Sequence, residues 1–343
     1  MHLRNEDGST DVARKELNSR IWWAHYSLER LVSALTGRPS LDMGYLCSVP
    51  LPLPLSSENI EESVIDSRFG DKGKRPLKPQ RSPRSSQAVD FSAQPNRDCH
   101  STDPGLANSG SYLKSIVTHG EITQAALELY GANAVRESWE SVQKMIAHQN
   151  NELDAWATAL PEGLNFFHRS SIVGRRYMRE KNTLDILYHS TKILITRPCL
   201  CRLDRRISNQ SASSNAFNER AALTCVGAAK SIASLLPDAA SDNLVRLYQA
   251  GPWWQMIHVI MQALVVLCLE MVLKAMHFPD DRQDLIPSLK KLLHWLRIMR
   301  VSNEMAVRAY SISAGLLKKL TCTIKIVSAT TSIYLIPQHS TGP

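Results

Sequence analysis

Glycine-rich phosphate loops, paired histidine–glutamate motifs and spaced cysteine pairs are all missing from this 343-residue sequence. Each absence excludes a class. Without a phosphate loop, a nucleophile elbow or a zinc-protease motif, the common nucleotide-binding, hydrolase and metalloprotease chemistries leave no signature here, and no enzyme is expected. The seven cysteines, at 47, 99, 199, 201, 225, 268 and 322, are odd in number and irregularly spaced. With a polar, charged start over residues 1–15 in place of a secretory signal, this usage indicates reduced thiols in an intracellular compartment. Strand-like alternation is nearly absent. An all-α fold is therefore expected, an irregular multi-helix bundle with a long disordered insertion.

Long apolar runs are scarce as well. The longest, residues 256–273, is interrupted by His258, Gln262 and Glu270. A spanning helix needs about 20 apolar residues, and charges inside it are costly. This stretch reads as a buried helix, with no membrane role. What is plentiful is ordinary: 43% hydrophobic and 21% charged residues, enough for a substantial core. The net charge of +8 leans basic, which suits a protein near nucleic acid without specifying a fold.

Residues 12–36 form the first expected helix. Leu17, Ile21, Ala24, Leu28, Leu31 and Leu35 step by four and three, so they share one face. Gly37, Arg38 and Pro39 then stop it, Arg38 with carbonyls or a carboxylate such as Glu29 within its expected reach. The alternating prolines at 50, 52 and 54 force an extended strap. Helical patterning returns over 121–148, with a bend at Gly131, and over 152–160. Further helices are expected at 183–196, ended by Arg197 and Pro198, and at 218–236, 253–276, 284–299 and 302–320. Leu285, Leu289, Leu292, Leu296 and Met299 repeat the stepping of the first helix. The tail, 321–343, shows no helical period and reads as a short strand or loose chain.

These elements divide the chain into residues 1–55, the first part of a helical domain; 56–111, the insertion; 112–320, the rest of that domain; and 321–343, an irregular tail. The insertion is rich in Ser, Pro and charge, with too few apolar residues to offset the entropy of ordering. Within it, Lys72, Lys74, Arg75, Lys78, Arg81 and Arg84 form a candidate nuclear-import signal, or else a solvated basic spacer.

Side chains with chemical potential are scattered. Cys199 and Cys201 have no second pair at zinc-ligand spacing. His258 and Glu270 lie about 120° apart around a helix and do not converge, so they read as hydrogen-bonded core groups. Asp280, Asp281 and Asp284 suit the start of a helix, where negative charge is favoured. Trp22 with Trp23, and Trp253 with Trp254, each send one ring inward and the next about 100° away, as rings wedged between helices require.

The run Arg20-Ile21-Trp22-Trp23 through Glu29-Arg30 to Gly37-Arg38-Pro39 resembles the signature of the fungal-specific transcription factor domain, the middle homology region of zinc-cluster regulators. The Val49-Pro50-Leu51-Pro52 strap, Arg197-Pro198 and Pro252-Trp253-Trp254 are similar to later landmarks of that family in the same order. The resemblance implies a transcriptional regulator in the nucleus, loosely one beside secondary-metabolite genes. It implies as partners the transcription machinery or an intact regulator, and a small-molecule effector. Members carry six N-terminal cysteines holding two zinc ions. That cluster is not in these residues, so zinc is expected only in an N-terminal part they lack, no other cofactor is expected, and DNA contact is indirect. The alternatives from the residues alone are a helical enzyme with an unrecognised pocket and a relic acting through protein contacts.

Overall fold

Among the described residues, ten α-helices and two 3-10 turns make up the regular structure and no strand occurs. The computed structural model describes residues 12–38, 40, 49–61, 107–167, 177–201, 210–238, 243–252, 254–272 and 282–333. The expected all-α architecture is what the chain adopts. Val12–Thr36 (α1) has the expected bounds. Gly37, at φ 66°, follows it in the left-handed conformation that glycine adopts without a Cβ penalty.

Several boundaries differ from those the sequence pattern suggests. Ser109–Leu127 (α2) begins inside the stretch expected to be insertion. Its Asn108 accepts from the Ser111 amide at 2.9 Å, and the Asn108 amide donates to Ser111 Oγ at 2.9 Å, a reciprocal capping box. Polar residues that look like loop are here the cap. A 3-10 turn, Glu128–Tyr130, and the short Ala132–Arg136 (α3) flank Gly131, the expected bend. Trp139–Thr158 (α4) runs unbroken through Gln149, Asn150 and Asn151, where the sequence pattern suggests a break between two helices. Met178–Cys201 (α5) continues past Arg197 and Pro198, contrary to the expected stop. Pro198 lacks the N–H for the i−4 bond and its ring crowds the preceding turn, a cost that full burial of Cys199 and Leu200 offsets.

Ala212–Leu235 (α6) and the unanticipated Leu244–Ala250 (α7) start on Ser211 and Asn243 caps. Met256–Val272 (α8) and Arg282–Met299 (α9) follow. Glu304–Ile333 (α10) extends through residues 321–333, where an irregular tail is expected from the sequence. Propagation from a nucleated helix costs only a few tenths of a kcal/mol per β-branched residue, less than starting one there. No described helix is long and apolar enough to cross a membrane.

The chain divides into two units, one from residues 1–136 and 148–184, the other from 137–147 and 185–343. In the first, α1 packs on α2. Trp23, Tyr26, Val49 and Val117 form its centre, with Leu51 and Leu113 at the margin. The Trp156 indole donates to the Ser115 carbonyl at 3.1 Å and stacks beside His119 and Phe166. In the second unit, α6, α8, α9 and α10 pack against one another. Leu285, Leu289, Leu292, Leu296 and Met299 all face this core, as their spacing predicts. Trp295, fully buried, donates to the Pro237 carbonyl at 2.9 Å.

The matching stripe on α1 behaves differently. Leu17, Ile21 and Leu28 are 48%, 63% and 55% exposed. The face turned inward carries Glu16, Ser19, Arg20, Trp23, Tyr26, Ser27, Arg30 and Ser33. Polar side chains go inside because this face grips backbone, and only hydrogen-bonding groups satisfy buried backbone.

Candidate functional site

The residues of the signature run meet in the first unit, where α1 holds the proline strap. Alternate prolines at 50, 52 and 54 keep the strap extended, and within it the Leu53 carbonyl accepts from the Leu55 amide at 2.8 Å, which leaves other backbone groups in want of partners. The helix supplies them. Ser19 Oγ and the Trp23 indole nitrogen both donate to the Pro50 carbonyl, the latter at 2.7 Å. Arg20 spans the next turn, with Nη2 donating to the Leu53 and Leu55 carbonyls at 3.2 and 2.7 Å and Nη1 to Ser57 Oγ at 3.2 Å. Glu16, fully buried, accepts from Arg20 Nε and from the Leu53 amide, both at 2.9 Å. Glu16 and Arg20 are one helical turn apart, so a single ion pair satisfies both signs of backbone group on the strap.

The start of α2 closes over the same strap. Asn108 Nδ2 donates to the Pro54 carbonyl at 3.1 Å, and the Ser57 amide donates to Ser109 Oγ at 2.9 Å. Gly110 lies directly on the strap, where a Cβ would collide with the Leu53 and Leu55 carbonyl oxygens. Residues 57–61 and 107–111, both inside the expected insertion, are thus part of this joint, while residues 62–106 lie outside the described residues.

Further along α1, Arg30 is 1% exposed, donates to Glu29 Oε2 at 2.7 Å and lies 4.4 Å above the Tyr26 ring. Gly120 of α2 lies against it, close enough that a Cβ there would sit 3.7 Å from the Arg30 stem. Glu29 also accepts from Ser33 Oγ at 3.0 Å. Arg38 is exposed, and Glu29 takes Arg30 and Ser33 in place of the expected Arg38.

Of the sequence-predicted positions, Trp22, Trp23, Glu29, Arg30, Gly37 and Arg38 thus fall on α1 or at its end. Trp23 is fully buried and Trp22 half-buried, the expected split. Arg197, Pro198, Pro252 and Trp254 lie in the second unit, with Pro252 buried and Trp254 47% exposed. Pro39, Trp253 and the basic residues Lys72, Lys74, Arg75, Lys78, Arg81 and Arg84 are outside the described residues, as are Asp280 and Asp281. Sequence reasoning does not single out Glu16, Ser19, Asn108 or Gly110. The i, i+4 spacing of Glu16 and Arg20 is the one visible signal.

In the second unit, polar side chains serve packing. Asn218 Oδ1 accepts from the Trp139 indole at 3.1 Å and from Gln143 Nε2 at 2.8 Å. Ser190 Oγ donates to Gln262 Oε1 at 2.6 Å, and Gln262 Nε2 donates back to the Ser190 carbonyl at 3.0 Å. Burial, helped by the charge of Arg197, holds the His258 pKa below its ordinary 6.5. Glu270 is fully buried on the same helix. The Cys268 thiol is pushed up to about 11 by burial, which leaves it inert as a nucleophile. Cys199 and Cys225 are buried too, and among the described residues no three of His, Cys, Asp and Glu gather to hold a metal.

Residues 1–168 match the family model of the fungal specific transcription factor domain. The chain is 28% identical to the transcription regulator galc of Aspergillus niger over 363 aligned residues, covering 95% of the chain but 43% of that relative. A second similarity, 36% over 64 residues, is to an uncharacterised transcriptional regulatory protein of Schizosaccharomyces pombe and covers 19% of the chain and 8% of that protein. The chain spans less than half the length of either relative. No solved structure matches. Residues 1–168, the part that matches the fungal specific transcription factor domain, contain the α1 clamp and its strap.

Proposed function

We propose that this chain is the helical regulatory region of a nuclear transcriptional regulator and that it acts through protein contacts. The observation that carries the reading is the clamp itself. The tryptophan and arginine of the signature run are built into a backbone-gripping joint within the matched region, and they are not arranged around a reacting atom. The similarity of 95% of the chain to a transcription regulator supports the same reading. An enzyme needs converging acid–base groups. Among the described residues of the second unit, His258 and Cys268 are the titratable groups with shifted pKa values, and burial is the first cause of both shifts.

On this reading the transcription machinery is the partner class, and DNA is reached through a segment other than the described helices. Residues 1–343 fused to a heterologous DNA-binding domain should change reporter output at least severalfold relative to that domain alone, and a fluorescently tagged chain should concentrate in the nucleus. A stably expressed fusion with no effect on the reporter, together with a cytoplasmic tagged chain, would reject the assignment. Replacing Lys74, Arg75 and Lys78 by alanine tests the import signal separately, with loss of nuclear signal expected.

A further inference from the structure

In the second unit a furrow runs between α5 and α10, with α8 as its floor. Met261 of α8 accepts from Ser313 Oγ of α10 at 3.1 Å, and the next residue, Gln262, exchanges two hydrogen bonds with Ser190 of α5. Successive helical residues lie about 100° apart, so at interaxial distances of about 8–10 Å the two neighbours of α8 stand about 14 Å from each other, too far to pack together. Val265 lies between Met261 and Gln262 around α8, over this gap, and is 47% exposed. On α10, Met305, Ile312 and Leu316 fall within about 40° of one another and are 63%, 58% and 40% exposed. From this stripe Ser313 is about 80° round the helix, and Tyr310, whose ring carries the Arg300 guanidinium at 5.0 Å, about 140° round in the same sense. Ser313 marks the α8 side and Tyr310 the α9 side, so the stripe stands on the furrow's edge.

We propose that this furrow docks an acidic amphipathic helix of a partner protein. Shape selects a helix. A rod held about 9 Å from the axes of both α5 and α10 meets α10 about 80° from the Ser313 contact, where Met305, Ile312 and Leu316 stand, and has Val265 beneath it. Charge selects its sign. Residues 286–320 hold seven lysines and arginines against one acid, Glu304, and so carry most of the chain's net charge of +8. Arg308, beside Met305 and Ile312 on α10, and Arg197 on α5 are both exposed. The charge of Arg197 reaches the floor, where it adds to burial in holding the His258 pKa low. Carboxylates on the open side of a docked helix are drawn to these cations, and a basic helix is repelled. The existence of such a partner rests on the reading of the chain as a regulator that works through protein contacts; the furrow gives those contacts a place.

The test is fluorescence anisotropy of a labelled helical peptide of about 18 residues, leucines along one face and glutamates elsewhere, titrated with the full chain. A dissociation constant on the order of 10 µM is expected, weaker at high salt. It should be at least tenfold tighter than for the same peptide with lysines in place of glutamates, or with its leucines scattered around the helix. Val265→Glu with Ile312→Glu, both at exposed positions, should weaken binding tenfold or more and leave the melting temperature unchanged. Absence of binding up to about 200 µM overturns the proposal, as does equal binding of either control peptide or a double variant that binds as the native chain does. Should that variant melt early, Arg197→Glu with Arg308→Glu decides. Preference is then expected to pass to the lysine peptide, and an unchanged preference for glutamate refutes the docking site. Peptide binding is read apart from reporter output, so the furrow and the regulatory reading can each fail alone.

Discussion

Replacing Arg20 by alanine removes the side chain that ties α1 to the strap, and the structure sets the cost. Four bonds go: those to Glu16, Ser57 and the carbonyls of Leu53 and Leu55. Glu16 stays fully buried, keeping the Leu53 amide but losing its counter-charge. An uncompensated buried charge of this kind costs about 3–5 kcal/mol. For a unit of this size each kcal/mol lowers the melting temperature by about 2–4 °C, so a fall of about 10 °C is expected. The assay is thermal unfolding followed by circular dichroism, with limited proteolysis reporting whether cleavage appears in residues 49–61. Arg20→Lys should lose roughly half as much, because an ammonium replaces the charge but not the planar fork that reaches several acceptors at once. Melting of Arg20→Ala within 3 °C of the native chain, with no new cleavage in the strap, would refute the view that this pair carries the joint.

Three further outcomes follow from the same geometry. Gly110→Ala drives a Cβ into the Leu53 and Leu55 carbonyls and should destabilise the first unit by about 2 kcal/mol or more in urea unfolding, where alanine for glycine elsewhere in a helix gains about 0.5–1 kcal/mol. Asn218→Ala deletes the acceptor shared by Trp139 and Gln143 and should cost roughly 2 kcal/mol in the same measurement. Because the folded His258 pKa lies below its unfolded value of 6.5, the unfolded chain takes up the proton first, and stability falls as pH drops through and below 6.5. His258→Gln should flatten that part of the native stability–pH curve and leave it unchanged above about pH 7.5; an identical acid limb in the two proteins would exclude His258 as its source.

Much of the fold is legible in the sequence because local rules and tertiary packing agree there. On α9 the four-and-three stepping of Leu285 to Met299 names both a helix and its buried face. Gly37 marks the end of α1 by a conformation that only glycine adopts cheaply. The failures have two origins. Asn108 and Ser111 look like loop by composition and cap α2 by geometry, and Pro198 looks like a stop yet lies inside the last turn of α5. The first is a local cap that composition does not reveal; in the second, burial of the residues that follow outweighs a proline penalty of about 3 kcal/mol.

The candidate site divides along the same line. Trp23 and Arg20 are visible as a motif, but their partner is the backbone of residues 50–55, whose carbonyls carry no residue-type signal at all. By itself the sequence determined that α1 is a helix, where it ends, and that six apolar residues share one side of it. Only the tertiary structure decided that this side faces out. Period specifies a stripe, but which side docks depends on what the rest of the chain presents, and here it presents an extended strap whose polar backbone Glu16, Ser19, Arg20 and Trp23 hold by hydrogen bonds that apolar side chains could not make.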